Sequence, residues 1–532
     1  MKVKKLVSVL LGVLMCFSVV SLAACSQRDP DNPYDGGNKA DTENTLDILA
    51  LKKGYGVEWL YELADAFTAK QKEMNPDFEI TIRTETEDAT ITATLENGLD
   101  YCKYDLFFTG TDVLPFIKSS MASPGNALLA EITDVYNETP DGGKSVKESM
   151  DESLLVAFRK EKENGDEAFY TIPWVNSTSG LLVNDDVMIK AFGADWQKTY
   201  PVRTTKELEI VAEALKNKGI PAFIHASETH YYQALYEPWW AQYEGLDAVA
   251  NFYAGKYIDA NGEYAVGPEI FLQKGRLKAV EALDSVLKDH FYSGSNNIGW
   301  NETQTRFMLG DAAFFPNGDW NNYEMARAFP NSNIRMLRMP VLSSLGEKLG
   351  VTESQLREVI DYVDGTTTKK PAVSDLVIEK ISEARNIAFS YSNYHTAFVA
   401  AYGRGLNYAK EFLKFMTSTE GQKIFAKAMQ GPTLPFGYDV SADSEIWNNY
   451  NAFAKSCYTV AKNAKYYFRR NDLPLGGAGL VPYRMANDAP LEVLLTRSNN
   501  RKTAKEICDA DYKYYSNSTA WTSLLRQAGL IK

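Results

Sequence analysis

Cysteine and histidine are scarce in this chain of 532 residues, with five of the first and four of the second. Cys16 and Cys25 fall in the N-terminal apolar region, which leaves Cys102, Cys457 and Cys508 without a Cys-x-x-Cys pair among them. Three scattered thiols make neither a disulfide framework nor a metal cage, although one pair could bridge if the fold brings it together. The histidines, His225, His230, His290 and His395, form no HExxH spacing, and His225 and His230 stand five apart near a strand end, which suits no common zinc helix. No GxSxG elbow appears. A basic excess is also missing: acids outnumber bases 69 to 56 and the net charge is −13. Such a surface argues against nucleic acid and anionic membrane as partners. After the N-terminus no apolar run is long enough to span a bilayer.

What is present begins with Lys2, Lys4 and Lys5, followed by an apolar run from Leu6 to Ala24. This charge order is that of a secretory signal, here residues 1–24, although the run also approaches the length of an uncleaved anchor. The residues Leu22-Ala23-Ala24-Cys25 resemble the bacterial lipobox, which implies lipidation on Cys25 and cleavage before it. Loss of a signal carrying three lysines and no acid takes the net charge to about −16. Residues 25–44 are rich in Asp, Asn, Gly and Pro and read as a flexible tether. The remaining body, from residue 45 onward, has the length of two or three domains.

The stretch FYTIPWVNSTSGLLVND, Phe169 to Asp185, organises that body. Two β-prone runs are joined by Pro173 and a small, polar connection, as where a strand leaves one sheet and enters another. Trp174 would then stand at the mouth between two lobes, with a strand-loop-strand carrying a half-buried Trp as the plainer alternative. Upstream, LDILAL (Leu46 to Leu51), FEITIR (Phe78 to Arg83) and YDLFF (Tyr104 to Phe108) alternate with helical periodicity at Leu60, Leu63, Ala64 and Phe67 and around Thr90 to Asn97. That order predicts a parallel sheet covered by helices. Ligands collect beyond the carboxyl ends of such strands, which places Tyr55 and Asp112 on one rim.

Downstream, Thr204 to Glu207 has capping-box spacing, and Pro221 to Ala226 is strand-like. The following loop is dense in rings, among them Trp239 and Trp240, which read either as a packed core or as a sugar-stacking surface. In TQTRFMLGDAAFFPNGDWNNYEM, Thr303 to Met325, a helix ends at Gly310, a strand runs from Ala312 to Phe315, and Asn317-Gly318-Asp319-Trp320 forms a polar turn. Asn317 or Asp319 is expected to cap the next helix. A Trp beside a carboxylate offers a sugar both a face to stack on and an acceptor for its hydroxyls.

The lipobox, the tether, these two stretches and KEFLKFMTSTEGQKIFAKAMQGPTLP (Lys410 to Pro435) stand in the order that resembles extracellular solute-binding proteins of bacterial ABC importers, in particular the carbohydrate-binding group that includes maltose-binding protein. The resemblance spans almost the whole mature chain. It implies two α/β lobes joined by three crossings, a ligand trapped by hinge closure, and no covalent chemistry. One lobe would comprise residues 45–173 and 340–432, the other 174–339 and 433–532. The crossings fall at Trp174, near Ile334 to Val341 and near Gln430 to Gly437, with 342–386 an insertion of unassigned role. Trp320 matches the position where that family stacks a sugar ring. The expected ligand contacts are Trp174, Asn176, Asp319, Trp320, Tyr55, Asp112, Trp239 and Trp240.

The implied partners are a carbohydrate, the transmembrane subunits of a permease, and a membrane through the lipid on Cys25. The protein would act as a monomer on the extracytoplasmic face, with no cofactor and no metal. Two other classes compete. Carboxylate pairs such as Asp185 and Asp186 could serve a glycosidase, but acids are so abundant that chance supplies such pairs. A surface adhesin fits the anchor and the aromatics but not the crossing segments. The Gly-rich stretch LGGAGLVPY, Leu475 to Tyr483, lacks the Lys-Ser/Thr ending of a phosphate loop.

Overall fold

The computed structural model describes residues 44–97, 103–325 and 328–532; the signal, Cys16, Cys25, Cys102 and all of the tether but Asn44 lie outside them. Alternating apolar residues form β1 (Thr45–Leu51), β2 (Glu79–Glu85) and β3 (Leu106–Thr109), with β1 parallel to both of the others. Helix Glu58–Lys72 buries Leu60, Leu63, Ala64 and Phe67 at the spacing the sequence shows, against the apolar face of this sheet. The chain then forms β4 (Ile172–Pro173) and passes through residues 174–178 into β5 (Ser179–Asn184), which belongs to a second sheet.

That second sheet adds β6 (Phe314–Gly318) and β7 (Ile334–Leu337), both antiparallel to β5, and β8 (Ile387–Phe389). Only at β9 (Thr396–Val399) does the chain rejoin the first sheet, antiparallel to β3 and β4. Helix Thr419–Met429 packs on helix Glu58–Lys72, whereas helix Ala452–Lys462 packs on β7 and leads into β10 (Lys465–Tyr467), parallel to β8. The result is two α/β lobes, each with its own sheet and core, linked by three passages of chain.

Two placements from the sequence change. The second passage is not at Ile334 to Val341 but at 390–395, because β8 pairs with β5 and with β10 before the chain leaves. Residues 342–386 accordingly belong beside the second lobe, not the first. They form helices Ser343–Lys348, Glu353–Val363 and Asp375–Asn386 around a small core of Leu345, Leu356, Val359, Ile360 and Ile381. Trp239 and Gln242 hold the backbone at Pro340, ion pairs from Arg203 to Asp361 and from Arg338 to Asp364 tie the segment down, and Arg385 donates back to Met339 O. Residues 221–226 make isolated bridges through Phe223 rather than a strand. The ring-dense stretch is no loop either: it forms helix Gln233–Glu244.

Candidate functional site

The cleft between the lobes is closed in this structure, and a tyrosine closes it. Tyr55 follows β1 in a turn whose flanking residues, Gly54 and Gly56, both take the left-handed conformation at φ +66° and +64°. Its hydroxyl donates to Asp319 Oδ1 across the cleft at 2.7 Å and lies 2.8 Å from Ser177 Oγ in the first passage. Beside it, Tyr323 of the second lobe donates to Glu58 at 2.7 Å. A Cβ on Gly56 would stand 2.1 Å from the Tyr323 hydroxyl, so this approach of the lobes requires a glycine there.

Asp319 sits at the end of β6, where Oδ2 accepts from Thr178 N at 3.1 Å. Burial raises its pKa to about 7, against the hydrogen bonds from Tyr55 and Thr178 that favour the anion. Asn317 is engaged by Gly318 N and by Asn321, inside β6 rather than in a turn. Trp320 is 8% exposed and lies under Tyr55, ring centroids 6.2 Å apart and edge-on. Tyr231 and Tyr391 flank it at 6.2 and 5.8 Å. His395, from the second passage, also meets Tyr55 edge-on at 5.2 Å, and burial lowers its pKa to about 4.

Beyond this contact the cleft opens into a cavity of about 420 Å³, within the size range of small-molecule sites. Asp112, Leu114, Pro115 and Lys118 line it from the first lobe, Tyr394 from the second passage, and Arg469, Asn471 and the segment Gly476 to Val481 from the second lobe. Asn471 Nδ2 bridges Asp112 Oδ2 at 2.9 Å and the Tyr394 hydroxyl at 3.0 Å. Arg469 donates to the buried Glu237 at 2.7 Å and to Gln233 at 2.8 Å, and Gln233 in turn donates to the Tyr391 hydroxyl.

Tyr55, Asp319 and Trp320 therefore come together at the lobe contact, with Asp112 on the cavity wall; Trp174 meets Tyr55 edge-on at 5.7 Å from the first-lobe side, and the three other expected residues lie away from it. Trp174 is 1% exposed, stacks on Trp59 at 5.2 Å and spends its N–H on Thr109 O, so it is first-lobe core. Trp239 and Trp240 are wholly buried in the second-lobe core, with their N–H groups on Pro340 O and Gln273. Asn176 is half-buried against Thr433 of the third passage and lines a different cavity, of about 600 Å³, with Tyr458 and Tyr466. Sequence reasoning missed Tyr391, Tyr394, Arg469 and Asn471. The clustering of rings and amides in YSNYHT, directly before β9, was the available signal for the first two. The pair Arg469 and Asn471 announces itself only by position after β10.

Among the described residues no cluster of His, Cys, Asp and Glu could hold a metal ion, and no helix is long and apolar enough to cross a membrane. Asp185, half of the carboxylate pair considered for glycoside chemistry, is buried away from the cavity, bonded to Trp196 and to Arg335.

The family model for bacterial extracellular solute-binding proteins matches residues 62–455. The chain belongs to this family. No curated protein matches it by sequence. Among solved structures, the GacH receptor of Streptomyces glaucescens, described without ligand and with acarbose, is similar at 14% identity and a TM-score of 0.53, over 91% of this chain and 98% of its own. RafE in complex with raffinose is 13% identical with a TM-score of 0.52, over 90% and 99%. The solute receptor AcbH, with a stated preference for β-D-galactopyranose, is 13% identical with a TM-score of 0.54, over 90% and 98%. At this identity the likeness is one of fold: two α/β lobes about a cleft, as found here.

Proposed function

We propose that this solute-binding protein captures a carbohydrate in the cleft and delivers it, with the lobes closed, to the permease of an ABC importer. The observation that carries the reading is the cavity walled by both lobes and by the second passage, where Tyr394 supplies a ring and Asp112, Asn471 and Arg469 supply hydroxyl partners, with Tyr391 and Trp320 in the ring cluster that adjoins Tyr394. A pyranose needs both kinds of contact. The sugars named for GacH, RafE and AcbH support the same class.

Closure follows from differential affinity. Ligand docks on one lobe, and contacts from the other exist only when the lobes meet, so binding draws the population to the closed state. The Tyr55–Asp319 and Tyr323–Glu58 bonds are the protein's own share of that closed state. Trp320 is the proposed stacking residue, with Asp319 and Tyr55 beside it and Asp112 on the wall of the adjoining cavity. The protein performs no covalent step on the sugar, works as a monomer, and is held to the membrane by a lipid on Cys25.

Isothermal titration of the mature, unlipidated protein against a panel of oligosaccharides, with Trp fluorescence in parallel, tests this. Micromolar or tighter binding with a fluorescence change and no product is expected. Turnover of the sugar would replace the receptor with an enzyme, and silence across the panel would remove the carbohydrate. Membrane fractionation of Cys25→Ala tests the anchor separately: retention of an uncleaved, unlipidated form would refute it.

A further inference from the structure

The cleft wall is cationic in a protein whose net charge is −13. Arg469 is balanced by Glu237, and Arg470 by both oxygens of Asp472 at 2.8 and 2.7 Å. Among the described residues neither Lys118 nor Lys160 makes a direct ion pair, and the Lys160 ammonium donates instead to Ala157 O and Arg159 O. Asp112, the acid that remains near them, already accepts from Leu114 N and Asn471.

Lys118 reaches from the first lobe toward the second: a Cβ on Gly477 would meet its Nζ at 3.3 Å. Lys160 is half-buried at the end of helix Glu152–Phe158, where Nζ donates to Ala157 O at 2.8 Å. Burial lowers its pKa, while the nearby Asp472 and Asp112 carboxylates act the other way. Lys160 lines a small annex of about 40 Å³ that shares Asp112, Leu114 and Asn471 with the main cavity and is bordered by Asp472, the partner of Arg470, while Lys118 stands on the main-cavity side. That volume suits one water or one small polar group. Thr396 borders the annex too; it is 2% exposed, and its hydroxyl has no partner, like the side-chain oxygen of Asn393. An unmade hydrogen bond at a buried hydroxyl is costly, and an acceptor supplied by the ligand removes that cost.

Resting on the reading of this cleft as a carbohydrate site, we propose that the ligand is an acidic sugar, a uronic-acid-containing oligosaccharide whose carboxylate sits where the main cavity, with Lys118, meets the annex, with Lys160. The two ammonium groups supply charge, and the Thr396 hydroxyl donates to a carboxylate oxygen. With Asp112 against the two lysines, the site has room for one negative charge. This suits a monoanionic carboxylate better than a phosphate dianion.

The test is titration of trigalacturonate and glucuronyl-xylobiose, the methyl ester of each, maltotriose and glucose 6-phosphate, at low and at moderate salt. An acid binding at least tenfold more tightly than its own ester, with a gap that narrows with salt and collapses in Lys118→Ala, is the expected result. Lys118 is exposed, so this variant folds; Lys160→Gln, which keeps a hydrogen-bond donor, should narrow the gap as well. Equal binding of acid and ester, or binding of maltotriose alone, overturns the inference and leaves the carbohydrate reading standing. Glucose 6-phosphate alone overturns the carboxylate. Binding of nothing in the panel takes both readings down.

Discussion

Asp319 makes closure of the empty protein depend on pH. In the closed state burial holds its pKa at about 7. Once Tyr55 withdraws and water enters, the group returns toward the ordinary value near 3.9. The closed state therefore takes up a proton. Closure is favoured at low pH, is penalised progressively as pH rises from about 4, and carries the full penalty above about 7, where that penalty reaches roughly 4 kcal/mol. From this group alone the closed-to-open ratio should fall by roughly twenty- to thirtyfold between pH 5.5 and 7.5. Burial raises Tyr55, Tyr466 and Cys457 further out of that window. His395 works the other way: burial beside Tyr55 lowers it to about 4, and its return toward the ordinary imidazole value on opening favours closure as pH rises, so comparison with Asp319→Asn isolates the carboxyl. Glu324, also raised by burial, is controlled for by the variant. Small-angle scattering of the ligand-free protein should show a radius of gyration that grows from pH 5.5 to 7.5 in the wild type relative to Asp319→Asn. Profiles that coincide in the two proteins would refute the linkage.

Other expectations follow from single side chains. Trp320→Ala should weaken sugar binding by on the order of 1 kcal/mol or more, roughly tenfold, in isothermal titration, and a change within twofold would dismiss it as the stacking residue. Trp239→Ala should lower unfolding stability by about 3–5 kcal/mol in denaturant melts, since it empties a wholly buried site; a loss under 1 kcal/mol would contradict its place in the core. Glu492 is buried with both carboxylate oxygens unpaired, and burial raises its pKa to about 8. Its ionised form is penalised in the folded state, so stability should decline as pH rises from about 4.5 to 8, by up to about 5 kcal/mol, and Glu492→Gln should remove most of that decline in thermal melts at pH 6 and 9.

The first lobe was the legible part of the fold. Its three parallel strands and their helices rest on local alternation and 3.6-residue periodicity, signals that survive without knowledge of partners. The passage after Pro173 was legible for the same reason, because two β-prone runs flank a short polar link. The second passage was not. Pro340 looks like a boundary, yet the strand that decides sheet membership, Ile387–Phe389, has three residues and acquires its place only by pairing with Lys465–Tyr467, far along the chain.

Indole chemistry shows the same division. Trp174, Trp239, Trp240 and Trp320 share one side chain and similar polar neighbours, and sequence offers no measure of what covers them. Three have their rings packed on all sides and their N–H groups on backbone or amide oxygens, while one faces the cleft. By itself the sequence determined the family pattern, the alternation of strand and helix, and the Gly-Asp-Trp turn at the cleft, because each depends on residues close together in the chain. Only the tertiary structure decided that Tyr55 meets Asp319, that Lys118 faces Gly477, and that Arg469 pairs with Glu237, because each contact joins segments more than two hundred residues apart.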